Sequence, residues 1–273
     1  MKPVSDWQTL LFVPVGATRH LDSAIRHRPD AIILDLEDAI PAAAKTEARA
    51  RLAQDQARIA AAGLACVVRV NGDLPEMVAD LAALDRSFVA ALLLPKVETP
   101  RPILNAGDLT GRAVPLIALV ESPAALPALS RLAAQPGLAG LMLGSEDYAA
   151  CLGIDPEAGG LEIPAAQIAA AAAARGLLAI GFPGSIANFR DLDRYARNLQ
   201  RGRALGFGAV AAIHPAQLPV IRACLAPTPD EVDWAGRVLA ALPEQGGVTA
   251  LDGAMVDAPV LARAQRILAR SRG

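Results

Sequence analysis

Glu121 and Asp147 each stand where an apolar, strand-like run gives way to a helix-like segment, in Pro115-Leu-Ile-Ala-Leu-Val-Glu121 and Gly140-Leu-Met-Leu-Gly-Ser-Glu-Asp147. Carboxylates at successive strand ends of a parallel sheet converge in space, and hard oxygen ligands of this kind hold a divalent cation. Either residue alone reads equally well as an acid favoured at a helix N-terminus, Glu121 before Ser122-Pro123 and Asp147 after Ser145. Together at neighbouring strand ends, with Arg69 on the same rim, they point to a metal enzyme.

The elements that must position these groups follow from hydrophobic period. Short apolar runs alternate with longer Ala/Leu/Arg/Glu segments of helical period, which is the rhythm of repeated βα units. Strands are expected at Leu10–Pro14, Ala31–Leu36, Ala65–Val70, Ala90–Leu94, Val114–Val120, Gly140–Gly144, Leu177–Gly181 and Ala209–Ile213. They are nearly continuous in hydrophobicity, as strands covered on both faces are. Eight such units close most naturally into a (β/α)8 TIM barrel; an open doubly wound sheet competes, but no GxGxxG follows the first strand. The barrel is expected over residues 1–225 and a C-terminal helical extension over 226–273. In the extension Pro227-Thr-Pro229-Asp230 caps a helix to about Leu242, a Gly-rich loop follows, and a last helix runs from about Pro259.

At 273 residues, 53% hydrophobic and 20% charged, the chain is long enough for a large core, and its net charge of −2 offers no basic footprint. Nucleic acid and anionic membrane surfaces are therefore not expected partners; small molecules and copies of the same chain are. Cys66, Cys151 and Cys224 are scattered and without CxxC spacing, which argues against a disulfide framework or a zinc site. The stretch from Met1 to Trp7 lacks the features of a secretory signal, so a reducing cytoplasm is expected. The Ala-rich run around Ala165–Ala174 is too short to cross a bilayer.

A barrel's site lies at the C-terminal ends of its strands. The polar residues there are Asp35, Glu37 and Asp38, then Arg69 and Asn71, Lys96 and Glu98, Glu121, Asp147 and His214. Arg69 follows Val67-Val68 and is costly to bury without an anion; its planar fork suits a substrate carboxylate, and an internal pair with Glu37 or Asp38 is the structural alternative. Asp35, Glu37 and Asp38 read either as a solvated turn before Pro41 or as acceptors for metal-bound water and for Arg69. Lys96 could form an imine if desolvated, but Glu98 and neighbouring carboxylates would keep it charged. His214, before Pro215, reads as a proton donor, a metal ligand or a structural hydrogen-bonding group.

Taken in order, Leu11-Phe-Val-Pro14, Ile33-Leu-Asp-Leu-Glu-Asp-Ala39, Val68-Arg-Val-Asn71, Leu94-Pro-Lys-Val-Glu98, Ala118-Leu-Val-Glu121, Leu143-Gly-Ser-Glu-Asp-Tyr148 and Ala212-Ile-His-Pro215 resemble the HpcH/HpaI aldolase and citrate lyase beta-subunit family. Each motif is weak alone, but the seven in sequence span nearly the whole chain. The resemblance implies a TIM-barrel carbon–carbon lyase acting on an acyl-CoA of citramalyl-CoA or malyl-CoA type. It implies Mg2+ on Glu121 and Asp147 and a substrate carboxylate on Arg69; Lys96 and Asn71 are further candidates for substrate binding, and Glu37 and Asp38 for catalysis. The segment Leu251-Asp-Gly-Ala-Met-Val-Asp257 resembles one that such lyases place over a neighbouring subunit's site. Asp257 is then a catalytic acid/base and the assembly a homotrimer or higher homo-oligomer. A CoA-independent pyruvate-type aldolase, a malyl-CoA thioesterase and an accessory subunit of a citrate lyase complex are the alternatives. Lys45 and Arg49 resemble positions near a CoA-facing rim, or form a solvated helix face. The chain departs from many relatives at Trp7-Gln-Thr9, where they carry Arg-Ser, and at Gly181-Phe-Pro-Gly-Ser185-Ile-Ala-Asn188, where an acidic segment is more usual.

Overall fold

The computed structural model describes residues 2–241 and 249–271. Eight strands follow one another around a parallel sheet: β1 (Thr9–Pro14), β2 (Ala31–Asp35), β3 (Ala65–Arg69), β4 (Ala91–Leu94), β5 (Leu116–Val120), β6 (Leu138–Leu143), β7 (Leu178–Ile180) and β8 (Val210–Ala212). β1 pairs with both β2 and β8, and the ring closes between β7 and β8 through a bridge at Ile180 and Ala209, where Gly181 N donates to Ala209 O at 2.9 Å. The expected (β/α)8 barrel is thus present. Helices between the strands are α1 (Thr18–His27), α2 (Lys45–Ala61), α3 (Leu74–Ala83), α4 (Arg101–Leu109), α5 (Leu129–Ala133), α6 (Ser145–Leu152), α7 (Glu162–Ala173), α8 (Leu192–Leu205) and α9 (Gln217–Leu225). None among the described residues is long and apolar enough to cross a membrane.

Alternation along the strands explains how the site is made. Leu10, Ile33, Val67, Leu93, Leu119, Met142 and Ile180 all point into the barrel and form one buried cluster with small partners such as Ala31, Ala65 and Ala211. Side chains two residues apart share a face. The inward series therefore continues from Ile33 to Asp35, from Val67 to Arg69 and from Leu119 to Glu121. The apolar core gives way to ionisable groups at the C-terminal ends of these strands. At the opposite end Trp7, 1% exposed, joins the interior cluster. The departure at Trp7-Gln-Thr9 thus places a large apolar ring in the core.

Strand limits differ from the sequence expectation by a residue or two. β5 starts at Leu116 because Pro115 carries no N–H. Beyond Glu121 the chain runs through a 3-10 segment, Pro123–Ala128, with Pro127 inside it, before α5.

The chain divides into two compact units, Met1–Cys224 and Leu225–Gly273. The second begins with α10 (Pro229–Ala240), opened by a capping box in which Thr228 and Glu231 bond each other's backbone N–H. An antiparallel hairpin of β9 (Thr249–Leu251) and β10 (Ala254–Val256) precedes α11 (Ala258–Ser271), and Ala235, Val238, Val256 and Ala264 form the small core. The hairpin replaces what was expected to be loop. Its turn is Asp252-Gly253, both at positive φ (51° and 78°), a dipeptide that favours this conformation. The expected Gly-rich loop, Gln245-Gly-Gly247, lies outside the described residues.

Candidate functional site

The strand register sets Asp35 beside Arg69, and their side chains meet in a two-point contact, Nε to Oδ1 and Nη2 to Oδ2, both at 2.7 Å. Nη1 reaches Glu37 Oε2 at 2.9 Å and Asp38 Oδ2 at 3.2 Å, and the guanidinium lies 5.2 Å from the Phe12 ring centre. The internal pair expected for this residue forms, with Asp35 as its main partner, and these contacts account for four of the five guanidinium N–H groups. Lys96 binds Glu37 Oε1 at 2.5 Å and Asp38 Oδ1 at 3.5 Å. The Glu37 contact, reinforced by the charge of Asp38, raises the ammonium pKa. An imine-forming lysine needs the opposite shift. Glu98, assigned that influence from the sequence, instead accepts from Ser122 Oγ at 2.5 Å. Burial, aided by the Asp38 contact, raises the Glu37 carboxyl above the usual range.

Glu121 is the unusual member of the group. It is 3% exposed, Oε1 accepts from Lys96 N at 3.2 Å, and Oε2 is buried without a partner. Lys96 holds φ at 52°, a left-handed backbone conformation rare for a side chain of its size, at the point where its N–H meets Glu121. Burial first, with the charges of Asp147 and Glu37 adding to it, pushes the Glu121 carboxyl up to about 8. An orphaned oxygen beside a second carboxylate fits a cation ligand. Asp147, in the first turn of α6, is exposed and lines a cavity of about 600 Å³ together with Glu121 and Lys96. It also borders a second cavity of about 460 Å³ that contains Asp35, Asp38 and Arg69. Among the described residues no three His, Cys, Asp or Glu side chains form a full cage. Two carboxylates with water is the mode magnesium favours.

Gly144 makes room for Glu121. A Cβ at this position would stand 2.6 Å from Glu121 Cγ. Gly144→Ala is expected to displace the carboxylate and weaken magnesium binding by about tenfold or more while lowering the melting temperature only modestly. Titration calorimetry beside a thermal melt checks this; unchanged affinity would remove Glu121 from the site.

The remaining expected residues are placed as follows. Asn71 uses its amide internally, donating to Leu36 O at 3.2 Å and Asp80 Oδ2 at 2.8 Å and accepting from Lys45 Nζ at 2.6 Å. Lys45 also binds the carbonyls of Leu36 and Glu37, and Arg49 pairs with Asp80 and Glu76. Neither Lys45 nor Arg49 is part of a solvated helix face. Their contacts brace the ends of β2 and β3. His214 is exposed, stacks on Phe189 with ring centres 4.8 Å apart, and accepts from Ala216 N. In the second unit Asp257 Oδ1 accepts from Val260 N at 3.2 Å, the position of a helix cap for α11. Glu146 and Gln217 hold the rim loops and were not singled out from the sequence. Gln217 lies three residues beyond His214, and only tertiary contacts give it a role.

A family model described as HpcH/HpaI aldolase/citrate lyase matches residues 8–215. The chain belongs to this family. The match to the HpcH/HpaI aldolase/citrate lyase model begins one residue before β1 and ends beyond β8, so it takes in the barrel and all of its mouth residues; Asp257 lies outside it. The chain is 30% identical to the citrate lyase subunit beta of Haemophilus influenzae over 97% of both chains. It is 32% identical to a (3S)-malyl-CoA thioesterase of Cereibacter sphaeroides, over 97% of this chain and 94% of that one. Among solved structures, protein CitE of Mycobacterium tuberculosis in complex with magnesium, acetoacetate and coenzyme A matches with a TM-score of 0.81 at 30% identity, covering 98% of this chain and 99% of that one. The citrate lyase beta subunit of M. tuberculosis complexed with oxaloacetate and magnesium matches with a TM-score of 0.69 at 28% identity, covering 82% and 99%.

Proposed function

We propose that this chain is a magnesium-dependent carbon–carbon lyase that splits a 3-hydroxy-acyl-CoA of citramalyl-CoA or malyl-CoA type into a 2-oxo acid and acetyl-CoA. The observation that carries the proposal is the buried, partnerless oxygen of Glu121 next to Asp147 at the barrel mouth. These two carboxylates would hold Mg2+, with water completing its coordination. When bound, the ion supplies positive charge against the negative charge that develops on the substrate's hydroxyl oxygen as the carbon–carbon bond breaks. Arg69, fixed by Asp35, Glu37 and Asp38, orients the substrate carboxylate with its remaining N–H. Glu37 and Asp38 in turn keep Lys96 charged and at the rim, where it serves anionic groups of the substrate. Asp257, from an adjacent copy in a homotrimer or larger assembly, exchanges the proton on the acetyl carbon. The free cysteines fit action in a reducing cytoplasm.

Purified chain incubated with citramalyl-CoA or malyl-CoA is expected to release 2-oxo acid only with magnesium present. Release undiminished by a chelator would overturn the metal assignment, and no release from either thioester would overturn the reaction. The 32% identity to a (3S)-malyl-CoA thioesterase favours one alternative, hydrolysis of the thioester. Free CoA appearing without 2-oxo acid in the same assay marks that outcome.

Magnesium must displace the proton that Glu121 retains up to about pH 8. Its affinity is therefore expected to rise by roughly tenfold per pH unit between pH 6 and 8 and then level off. Calorimetry over that range checks the sign; a flat profile would mean that Glu121 does not bind the ion.

A further inference from the structure

Two isoleucines at the mouth have no part in the proposed chemistry, yet their placement is held by specific bonds. Ile186, in the loop after β7, and Ile213, directly after β8, line the cavity that contains Asp35, Arg69 and Asp147. Ile213 is 42% exposed, unusual for a residue of its size beside a buried strand. The fully buried amide of Gln217 joins the two backbones: it donates to Ile186 O at 2.9 Å and accepts from Ile213 N and His214 N, each at 3.0 Å. On either side of Ile186 the Glu146 carboxylate accepts from Ser185 Oγ at 2.6 Å and from Ala187 N at 3.2 Å. The stacked rings of Phe189 and His214 tie the same two loops again. A loop fixed on both sides of one apolar side chain presents that side chain to the cavity.

The charges around the cavity complete the picture. Of the described side chains lining it, Arg69 is the one cation, against the carboxylates of Asp35, Asp38, Glu146 and Asp147. Arg69 is already engaged by Asp35, Glu37 and Asp38. A substrate with a single carboxylate on its oxo-acid half can use the remaining N–H. A second carboxylate on the isoleucine side would meet surplus negative charge and two apolar side chains, with no cation besides the engaged Arg69 among the described side chains lining this cavity.

Building on the proposed lyase reaction, we infer that Ile186 and Ile213 form a specificity wall that selects thioesters whose 2-oxo-acid half bears a short uncharged alkyl group and rejects those that would yield a dicarboxylic 2-oxo acid. Gln217 is the positioning residue of the wall.

Two readouts test this on the full chain with magnesium: calorimetric binding of pyruvate, 2-oxobutyrate and oxaloacetate, and condensation of each with acetyl-CoA. Pyruvate or 2-oxobutyrate is expected to exceed oxaloacetate by about 100-fold in kcat/KM, with the same order in affinity. Ile213→Arg, a change at a partly exposed position, is expected to improve oxaloacetate relative to pyruvate by about tenfold or more. Gln217→Met is expected to raise KM for the alkyl oxo acids several-fold with magnesium affinity unchanged. Oxaloacetate binding or reacting as well as pyruvate in the unaltered protein would overturn the inference. Retention of the binding order without turnover would sink the lyase reaction and leave the selectivity standing.

Discussion

Glu121→Gln is expected to lose magnesium-dependent turnover by about a thousandfold or more and at the same time to make the metal-free protein more stable. Both effects come from one oxygen. In the metal-free protein Oε2 is buried and has no partner, and the carboxyl is pushed up to about 8. The folded chain therefore holds a proton that the unfolded chain, with an ordinary carboxylate, releases at lower pH. Stability falls as pH rises between the ordinary value and about 8, and the cost above that range is on the order of a few kcal/mol. Glutamine keeps the shape and cannot ionise, so it removes the cost together with the cation ligand. Thermal melts should show the variant higher by about 5 °C at pH 8, the gap closing toward pH 5. A variant that kept its turnover, or that melted lower than the unaltered protein at pH 8, would contradict the placement of Glu121 as a buried ligand with one partnerless oxygen.

Arg69→Ala carries the largest expected stability loss. The guanidinium is the shared partner of Asp35, Glu37 and Asp38, and the first two are buried. Its removal leaves facing carboxylates without compensation, which costs about 3–5 kcal/mol for a buried pair broken on one side. Arg69→Lys restores the charge but not the two-point fork on Asp35, so it should recover only part of the stability and little of the affinity for a carboxylate ligand. Urea unfolding of both variants, with pyruvate binding measured on the lysine variant, separates the two roles. Full affinity in Arg69→Lys would show that Arg69 acts through its partners alone.

Much of the barrel was legible in the chain because strands buried on both faces stand out as continuous apolar runs. The ionisable residues that end them stand out for the same reason. Leu119 faces the core, so Glu121 two residues on faces the mouth, and the same count takes Val67 to Arg69 and Ile33 to Asp35. The Asp252-Gly253 turn follows a sequence rule, yet the strands it joins are three residues each, too short for alternation to mark them.

Partnership was not legible in the same way. The pairing of Arg69 with Asp35 in preference to Glu37 or Asp38 follows from sheet register. Lys96, at a positive φ, meets Glu37, and Glu98 meets Ser122, partners 59 and 24 residues away in the chain. Lys45 and Arg49 have helical spacing on paper, yet each meets acceptors supplied by neighbouring βα units. Residue order alone determined the family, the barrel and the types of group at its mouth, since burial and alternation are local in the chain. Only the tertiary structure decided which carboxylate oxygen is buried without a partner and which two isoleucines line one cavity, since those depend on contacts among segments far apart in the chain.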